Sequence, residues 1–509
     1  MAVIDGEFLR RDDVVRAVGE ELSWRGRLLP RRADFELLSR NPSAVADWLI
    51  PHLRSGGGGR RASVVFADKE WRGTRPLHTL TLEDSVLYRV LSHRMSTRLP
   101  ERLRVRGPID EFRRAPLAVA ETKYVCVTDV TAYYEFVDHD LLATELIGQT
   151  GDQLAVNALR DLLVAVLGRH VGLPQVHAAS DIFGDVYIDP VRRRLLRRGH
   201  AAFTYSDDFR IAAPTLQGAQ NALEACEIEV RALGLVLNET KTRTYFVDNY
   251  TSSLTAFNDA QQRLLDSDGE GESGVDLGLL ERGYESGEVE PASGDESESK
   301  GSDDERQRRL TAARRAFELW RDMIFDEDIN DRDAAILRDL LGRSLPVLGA
   351  AGDTGPLKWI ETIVRIEPAL TPQAALYLKE FGQSGEGQRS TLRATLDNIV
   401  SKDILSTWQS LWFAHVAADS GMDETPRPYE EWLQGCVIAG DPAVAATAAA
   451  ALGQIGRGNA DDVAAAIDRV GPEWRRLAFV GLIGLDRAKA EATADDALDR
   501  LLLTEDERL

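Results

Sequence analysis

The chain has 509 residues, 43% of them hydrophobic, and a formal net charge of −22, which is enough length and apolar content for two or more packed domains. No apolar run approaches the length of a membrane span, and Met1-Ala2-Val3-Ile4-Asp5-Gly6-Glu7 lacks the basic-then-apolar layout of a signal peptide. Cys126, Cys226 and Cys436 are too widely spaced for a disulfide framework or a zinc pattern, so the expected location is the cytoplasm, with no membrane partner.

The acidity is uneven. Residues 1–265 carry 35 basic and 35 acidic side chains, residues 266–305 carry 2 and 15, and residues 306–509 carry 24 and 33. The balanced first half contains two arginine runs, Arg102 to Arg106 and Arg192 to Arg198, which read either as phosphate-binding patches or as solvated helix faces.

In chain order, residues 10–60 read as short helices closed by the loop Ser55-Gly56-Gly57-Gly58-Gly59. A strand follows at Ser63 to Ala67, and after it a basic stretch containing Arg72 and Arg75. Basic residues just ahead of a helix suit triphosphate contact, although solvated loop arginines fit equally well. The helix runs from Leu82 to Met95, with Thr81 as its cap.

The apolar run from Tyr124 ends on Asp129, placing a carboxylate at the end of a buried strand, with the aromatic pair Tyr133-Tyr134 four and five residues later. A helix over Leu154 to Leu167 leads to the turn Gly172-Leu173-Pro174-Gln175, whose small backbone would let a base pair approach closely, and then to an apolar helix from Ile182 to Ile188. A Pro-containing helix start is the structural alternative for that turn.

Ala201 to Ala213 reads as strand, tight turn, strand, with Asp207 and Asp208 at the turn. Adjacent like charges between buried strands call for a divalent cation, although Asp-Asp is also ordinary turn chemistry. A strand-end acid joined to a hairpin acid pair is a way to assemble a two-metal phosphoryl-transfer site. Beyond a helix from Leu216 to Leu233, Lys241 sits in a polar turn, where it is either a proton donor to a leaving pyrophosphate or an exposed turn lysine.

The order of the Asp129 segment, Gly172-Leu173-Pro174-Gln175, Tyr205-Ser206-Asp207-Asp208 and Gly234 to Lys241 resembles the palm of reverse transcriptases over residues 60–250. The resemblance implies a right-hand fingers–palm fold of α+β class in which Asp129, the backbone at Val130, Asp207 and Asp208 hold two Mg2+ ions, with Mn2+ as a substitute. It implies that Tyr134 screens the sugar 2′ position, that Gln175 faces the nascent base pair, and that Lys241 matches the lysine of the later motif. Substrates would be dNTPs and the product DNA, with an RNA template, a non-coding RNA and a homo-oligomer left open. One residue departs from the family pattern: Val176 stands where most members carry glycine after Pro-Gln.

Residues 266–305, rich in Asp, Glu, Gly and Ser, bury too little apolar surface to fold and read as a disordered acidic linker. Residues 306–509 read as helices with Asp-Pro or Gly-Pro starts, resembling HEAT-like repeats, with a plain helical bundle as the alternative. A palm joined to such a region is similar to bacterial abortive-infection and defence-associated reverse transcriptases, which implies an antiphage role and, in some members, untemplated synthesis primed from a protein hydroxyl. A catalytically restrained sensor or RNA-bound scaffold is the competing class, and a retron-type enzyme a third.

Overall fold

The computed structural model describes residues 8–24, 26, 28–69, 73–255, 303–325, 331–402 and 404–506. Arg72 and most of the acidic stretch, residues 266–302, lie outside them. The chain divides into two compact units. One comprises Met1–Glu21, Asn41–Val64 and Leu77–Ala256, and the other Leu22–Arg40, Val65–Pro76 and Phe257–Leu509.

The elements up to residue 246 are α1 (Arg11–Ser23), α2 (Ala33–Leu38), α3 (Pro42–Arg54), β1 (Ser63–Asp68), β2 (Thr74–Thr79), α4 (Leu82–Ser96), α5 (Ile109–Arg114), β3 (Tyr124–Asp129), α6 (His139–Thr150), α7 (Gln153–Leu167), α8 (Ala178–Arg197), β4 (Ala201–Tyr205), β5 (Asp208–Ala213), α9 (Leu216–Arg231) and β6 (Arg243–Phe246). Side-chain caps set the helix starts: Thr81 accepts the Asp84 N–H, Asp138 those of Asp140 and Leu141, Asp152 that of Ala155, and Thr215 that of Gly218. Left-handed Gly151 and Gly168 end α6 and α7.

The first unit is built on a four-stranded antiparallel sheet of order β4-β5-β3-β6, with α8 and α9 packed on it. Val125, Cys126, Phe209, Ile211 and Ala212 are buried on the two faces of this sheet, with Val125 paired to Ala212 and Cys126 to Ile211. Helix α8 is longer than the apolar segment Ile182–Ile188 predicts. It continues through Pro190 and so carries the second arginine run.

That run does not form a free basic patch. Asp189, 2% exposed, is bound by Arg102, Arg192 and Arg193, the last of which also pairs with Glu145. Arg194 and Arg198 share Glu229 at 2.8 and 2.6 Å, and Arg106 grips Asp185. The six named are therefore each paired with an acid from α6, α8 or α9, while Arg102, Arg194 and Arg198 keep 42–49% of their side chains exposed, as the solvated-face reading expects. A buried carboxylate is tolerated only when so paired.

The second unit is helical, with α10 (Asp303–Met323), α11 (Asp331–Ala350), α12 (Ile360–Ile366), α13 (Thr371–Gln383), α14 (Glu386–Val400), α15 (Thr407–Ala417), α16 (Pro428–Ala439), α17 (Pro442–Ile455), α18 (Ala460–Arg469), α19 (Pro472–Leu485), α20 (Arg487–Thr493) and α21 (Ala497–Asp506). Helices α11, α13, α15, α17 and α19 pack in sequence as one layer, and α14, α16, α18 and α20 as a second. Helices α17 and α19 touch backbone to backbone: a Cβ added at Gly481 would sit 2.2 Å from the Ala449 oxygen, and one at Gly453 2.4 Å from the Gly481 oxygen.

The early segments of this unit are tied to α15. Trp408 Nε1 donates to the Leu28 carbonyl at 2.6 Å, and Ser406 Oγ to Asp68 Oδ2 at 2.8 Å. Arg314, Arg315, Arg475 and Arg476 each pair with a carboxylate. No described helix is long and apolar enough to cross a membrane.

Candidate active site

The acids converge at one end of the sheet. Asp129 is the last residue of β3 and the direct partner of Asp208, the first residue of β5. Directly opposed residues of an antiparallel pair share a face, with Cβ atoms about 5 Å apart. Asp207 lies beside them in the two-residue turn Ser206-Asp207, whose first residue takes φ 53°, the left-handed conformation favoured at that position of tight hairpins. The Val130 N–H donates to the Asp207 carbonyl at 3.1 Å and the Asn238 N–H to the Asp129 carbonyl at 2.8 Å, so backbone bonds lock the turn and the Lys241 loop to the strand end.

Asp129 is 6% exposed. Lys241 Nζ donates to its Oδ2 at 2.6 Å, while buried Oδ1 finds no hydrogen-bond donor among the described residues. Burial, together with the charges of Asp208 and Asp129, raises the pKa of Asp207. The ion pair with Asp129 raises that of Lys241. Asp208 is half-exposed, with Arg210 at 3.6 Å.

Three carboxylates thus face one another with too little positive charge, and one buried oxygen lacks a partner. This is a hard, all-oxygen donor set that suits Mg2+ or Mn2+. Among the described residues no three His, Cys, Asp or Glu side chains form a metal cage on their own. A cation held here would take only one or two of these carboxylates and complete its shell with water and substrate phosphates.

Tyr134 reaches the same place. Its hydroxyl donates to Asp181 Oδ1 at 2.7 Å and stands 3.2 Å from Ser206 Oγ, next to Asp207. Tyr133 is buried at 2% exposure, its hydroxyl bonded to the Gly184 carbonyl, and so serves as core. Burial raises the pKa of both phenols, so both stay protonated.

Gln175 is half-buried in the turn before α8. The Leu173 N–H donates to the Tyr134 carbonyl at 2.7 Å, tying that turn to the Tyr134 segment. Arg75 is exposed on β2 and belongs to the second unit.

Val176 takes φ 63°. Left-handed backbone is rare and strained for a β-branched residue, and glycine adopts it freely. The turn therefore keeps the conformation a glycine would prefer while carrying a side chain that opposes it. A buried network holds it there: Ser180 Oγ donates to the Pro174 carbonyl at 2.5 Å and lies 3.0 Å from the Tyr88 hydroxyl, while His177 caps α8 by accepting the Ala179 N–H at Nδ1. Val176→Gly is expected to raise stability by about 1 kcal/mol, the released strain less the added freedom of the unfolded chain, as read from urea unfolding midpoints. A destabilised variant would show that the side chain contributes more packing than strain.

The neutral tautomer of His177 places its Nε2 proton toward Ser85 Oγ at 3.0 Å, and Ser85 donates to Glu21 Oε1 at 2.6 Å. Burial pushes the His177 pKa down to about 4. Between about pH 6.5 and 4 the unfolded chain then binds a proton that the folded chain refuses, so stability rises with pH through that window and falls on acidification. The slope from this group is about 1.4 kcal/mol per pH unit. Urea unfolding at pH 6.5 and 5 should show a stability loss that is smaller by up to about 2 kcal/mol in His177→Gln; equal losses in the two proteins would contradict a neutral His177.

Sequence reasoning missed the part played by Asp181, which accepts from Tyr134, and by the Asp185–Arg106 pair, which holds the acid turn. Arg106 makes a bidentate contact with Asp185 at 2.7 and 3.0 Å, and the Asp185 carboxylate accepts the Ser206 N–H. The available signal was the acid pair four residues apart at the start of α8, on one helix face.

No family model matches the chain, and no curated protein matches it. Among solved structures, telomerase from Candida albicans in complex with the TWJ fragment of telomeric RNA aligns at 10% identity and TM-score 0.31, over 68% of this chain and 62% of that one. Telomerase from Candida tropicalis, in complex with the same kind of fragment, aligns at 11% identity and TM-score 0.30, over 70% and 64%. The chain thus spans less than two thirds of the length of either telomerase chain.

Proposed function

We propose that the protein is a nucleotidyltransferase of the reverse-transcriptase type, joining dNTPs into DNA at the site formed by Asp129, Asp207 and Asp208. The observation that carries this reading is the buried Asp129 carboxylate, opposed to Asp208 across the strand pair and left with one oxygen lacking a donor. A scaffold has no use for such a group, since Lys241 meets only one of its oxygens and a buried oxygen left without a donor costs about 1–3 kcal/mol.

The chain's own residues divide the work. Asp129, Asp207 and the backbone at Val130 would hold the cations. Magnesium, when bound, activates the attacking hydroxyl and stabilises charge on the departing pyrophosphate. Lys241, kept protonated by its acidic neighbours, supplies positive charge and a proton toward that leaving group. Tyr134 walls the sugar side, and Gln175 presents its turn to the base pair.

The two-layer stacking of α11 to α20 supports the helical-repeat reading of the second unit, and with it the likeness to defence-associated reverse transcriptases. One observation favours short over processive synthesis: arginines of both runs are tied to acids, so phosphate binding along a long duplex lacks those charges. Short, protein-primed synthesis needs less of such a groove than processive copying.

The test is to incubate the purified protein with each labelled dNTP and Mg2+, with and without RNA, and to resolve products before and after protease. Magnesium-dependent label in DNA supports the reading, and label that stays with protein until protease treatment identifies a protein primer. No incorporation under any condition would favour the scaffold.

A further inference from the structure

We infer that Asp181 is a positioning residue that sets nucleotide sugar selection by fixing the Tyr134 ring through its hydroxyl. This rests on the nucleotidyl-transfer reading above and deepens it.

The geometry is specific. A phenol has a single proton, and here it points to Asp181 Oδ1 at 2.7 Å. The 3.2 Å contact with Ser206 must then run the other way, with Ser206 Oγ–H donating to the phenol oxygen. The ring is therefore pinned at its tip between α8 and the residue adjoining Asp207.

Its flank is pinned as well. A Cβ at Gly184 would stand 3.4 Å from Tyr134 Cε1, and the Tyr133 ring meets Tyr134 edge-on at 5.4 Å. Asp181 is itself held, with Arg106 Nη1 3.4 Å from its Oδ1 and Arg106 Nη2 donating to its carbonyl at 3.1 Å. Without the carboxylate, the tip loses its charge-assisted bond and keeps only the serine contact. A screening ring works by standing still, so freedom at its tip admits a 2′-hydroxyl without touching the reacting atoms.

The experiment measures incorporation efficiency for dATP and ATP in the full-length protein, comparing wild type with Asp181→Ala, Asp181→Asn, Tyr134→Phe and Tyr134→Ala. Asp181→Ala should lower the preference for dATP about tenfold, the value of one charge-assisted hydrogen bond, while dATP incorporation stays within about threefold of wild type. Tyr134→Phe should lower the preference equally. Asp181→Asn, whose amide oxygen still accepts from the phenol, should retain it, which a merely structural role would not require.

If Tyr134→Ala loses the preference while Asp181→Ala and Tyr134→Phe keep it, Asp181 has no part in selection and the inference alone falls. If Tyr134→Ala also keeps it, the ring is no screen, and the inference falls together with the role given to Tyr134. Wild type that incorporates neither nucleotide overturns the functional reading and the inference with it.

Discussion

Asp207→Asn should abolish nucleotide incorporation, by at least about a hundredfold, while the protein remains folded. The substitution keeps the shape of the turn and removes one negative charge from a group of three, and losing a charge that holds a catalytic cation costs several kcal/mol of transition-state stabilisation. Stability should be unchanged or higher, because burial and the neighbouring Asp208 and Asp129 already raise the Asp207 pKa and disfavour its charged form. Steady-state incorporation and a urea melt on one preparation check both halves. Substantial activity in the variant would remove Asp207 from the site, and a large stability loss would make the turn structural.

The second large effect lies in the helical unit. Gly481→Ala should destabilise the protein by about 3 kcal/mol or more, since the new methyl would sit 2.2 Å from the Ala449 carbonyl oxygen, a backbone atom that cannot rotate away. For a unit of this size that corresponds to a thermal transition lower by roughly 6–12 °C. Gly435→Ala is the matched control. Gly435 is exposed within α16 with nothing near its would-be Cβ, so the same change there should stabilise by about 0.5–1 kcal/mol through helix propensity. Similar shifts in the two variants would deny that α17 and α19 meet at their backbones.

Local patterns were legible in the sequence where a short segment carries its own instruction. The apolar run ending on Asp129, and the apolar and β-favouring residues flanking Ser206-Asp207, specify a strand end and a two-residue hairpin, and these elements bring three acids together. Thr81 and the spacing after it specify α4 almost to the residue.

What the sequence hid was long-range. Nothing in Leu22–Arg40 or Val65–Pro76 announces that these segments pack with helices more than 300 residues later, because the bonds from Trp408 to Leu28 and from Ser406 to Asp68 join residues with no shared periodicity. The arginine runs looked like phosphate-binding patches or solvated faces because most of their counter-acids lie far off in sequence, Asp189 from Arg102, Glu145 from Arg193 and Glu229 from Arg194, although Asp189 also sits on α8 itself, one turn before Arg192 and Arg193. Val176 was readable as a departure from the family pattern, but its left-handed backbone was not, since that conformation is imposed by the network beneath the turn.

The functional reading depends on whether these carboxylates bind a divalent cation, and that is measured by titrating the nucleotide-free protein with Mn2+ and following the loss of free ion by electron paramagnetic resonance. Wild type should bind Mn2+ in competition with Mg2+, and Asp129→Asn should weaken that binding at least about tenfold, as expected when a ligating charge is removed. Equal Mn2+ binding by wild type and Asp129→Asn would contradict the assignment of this site.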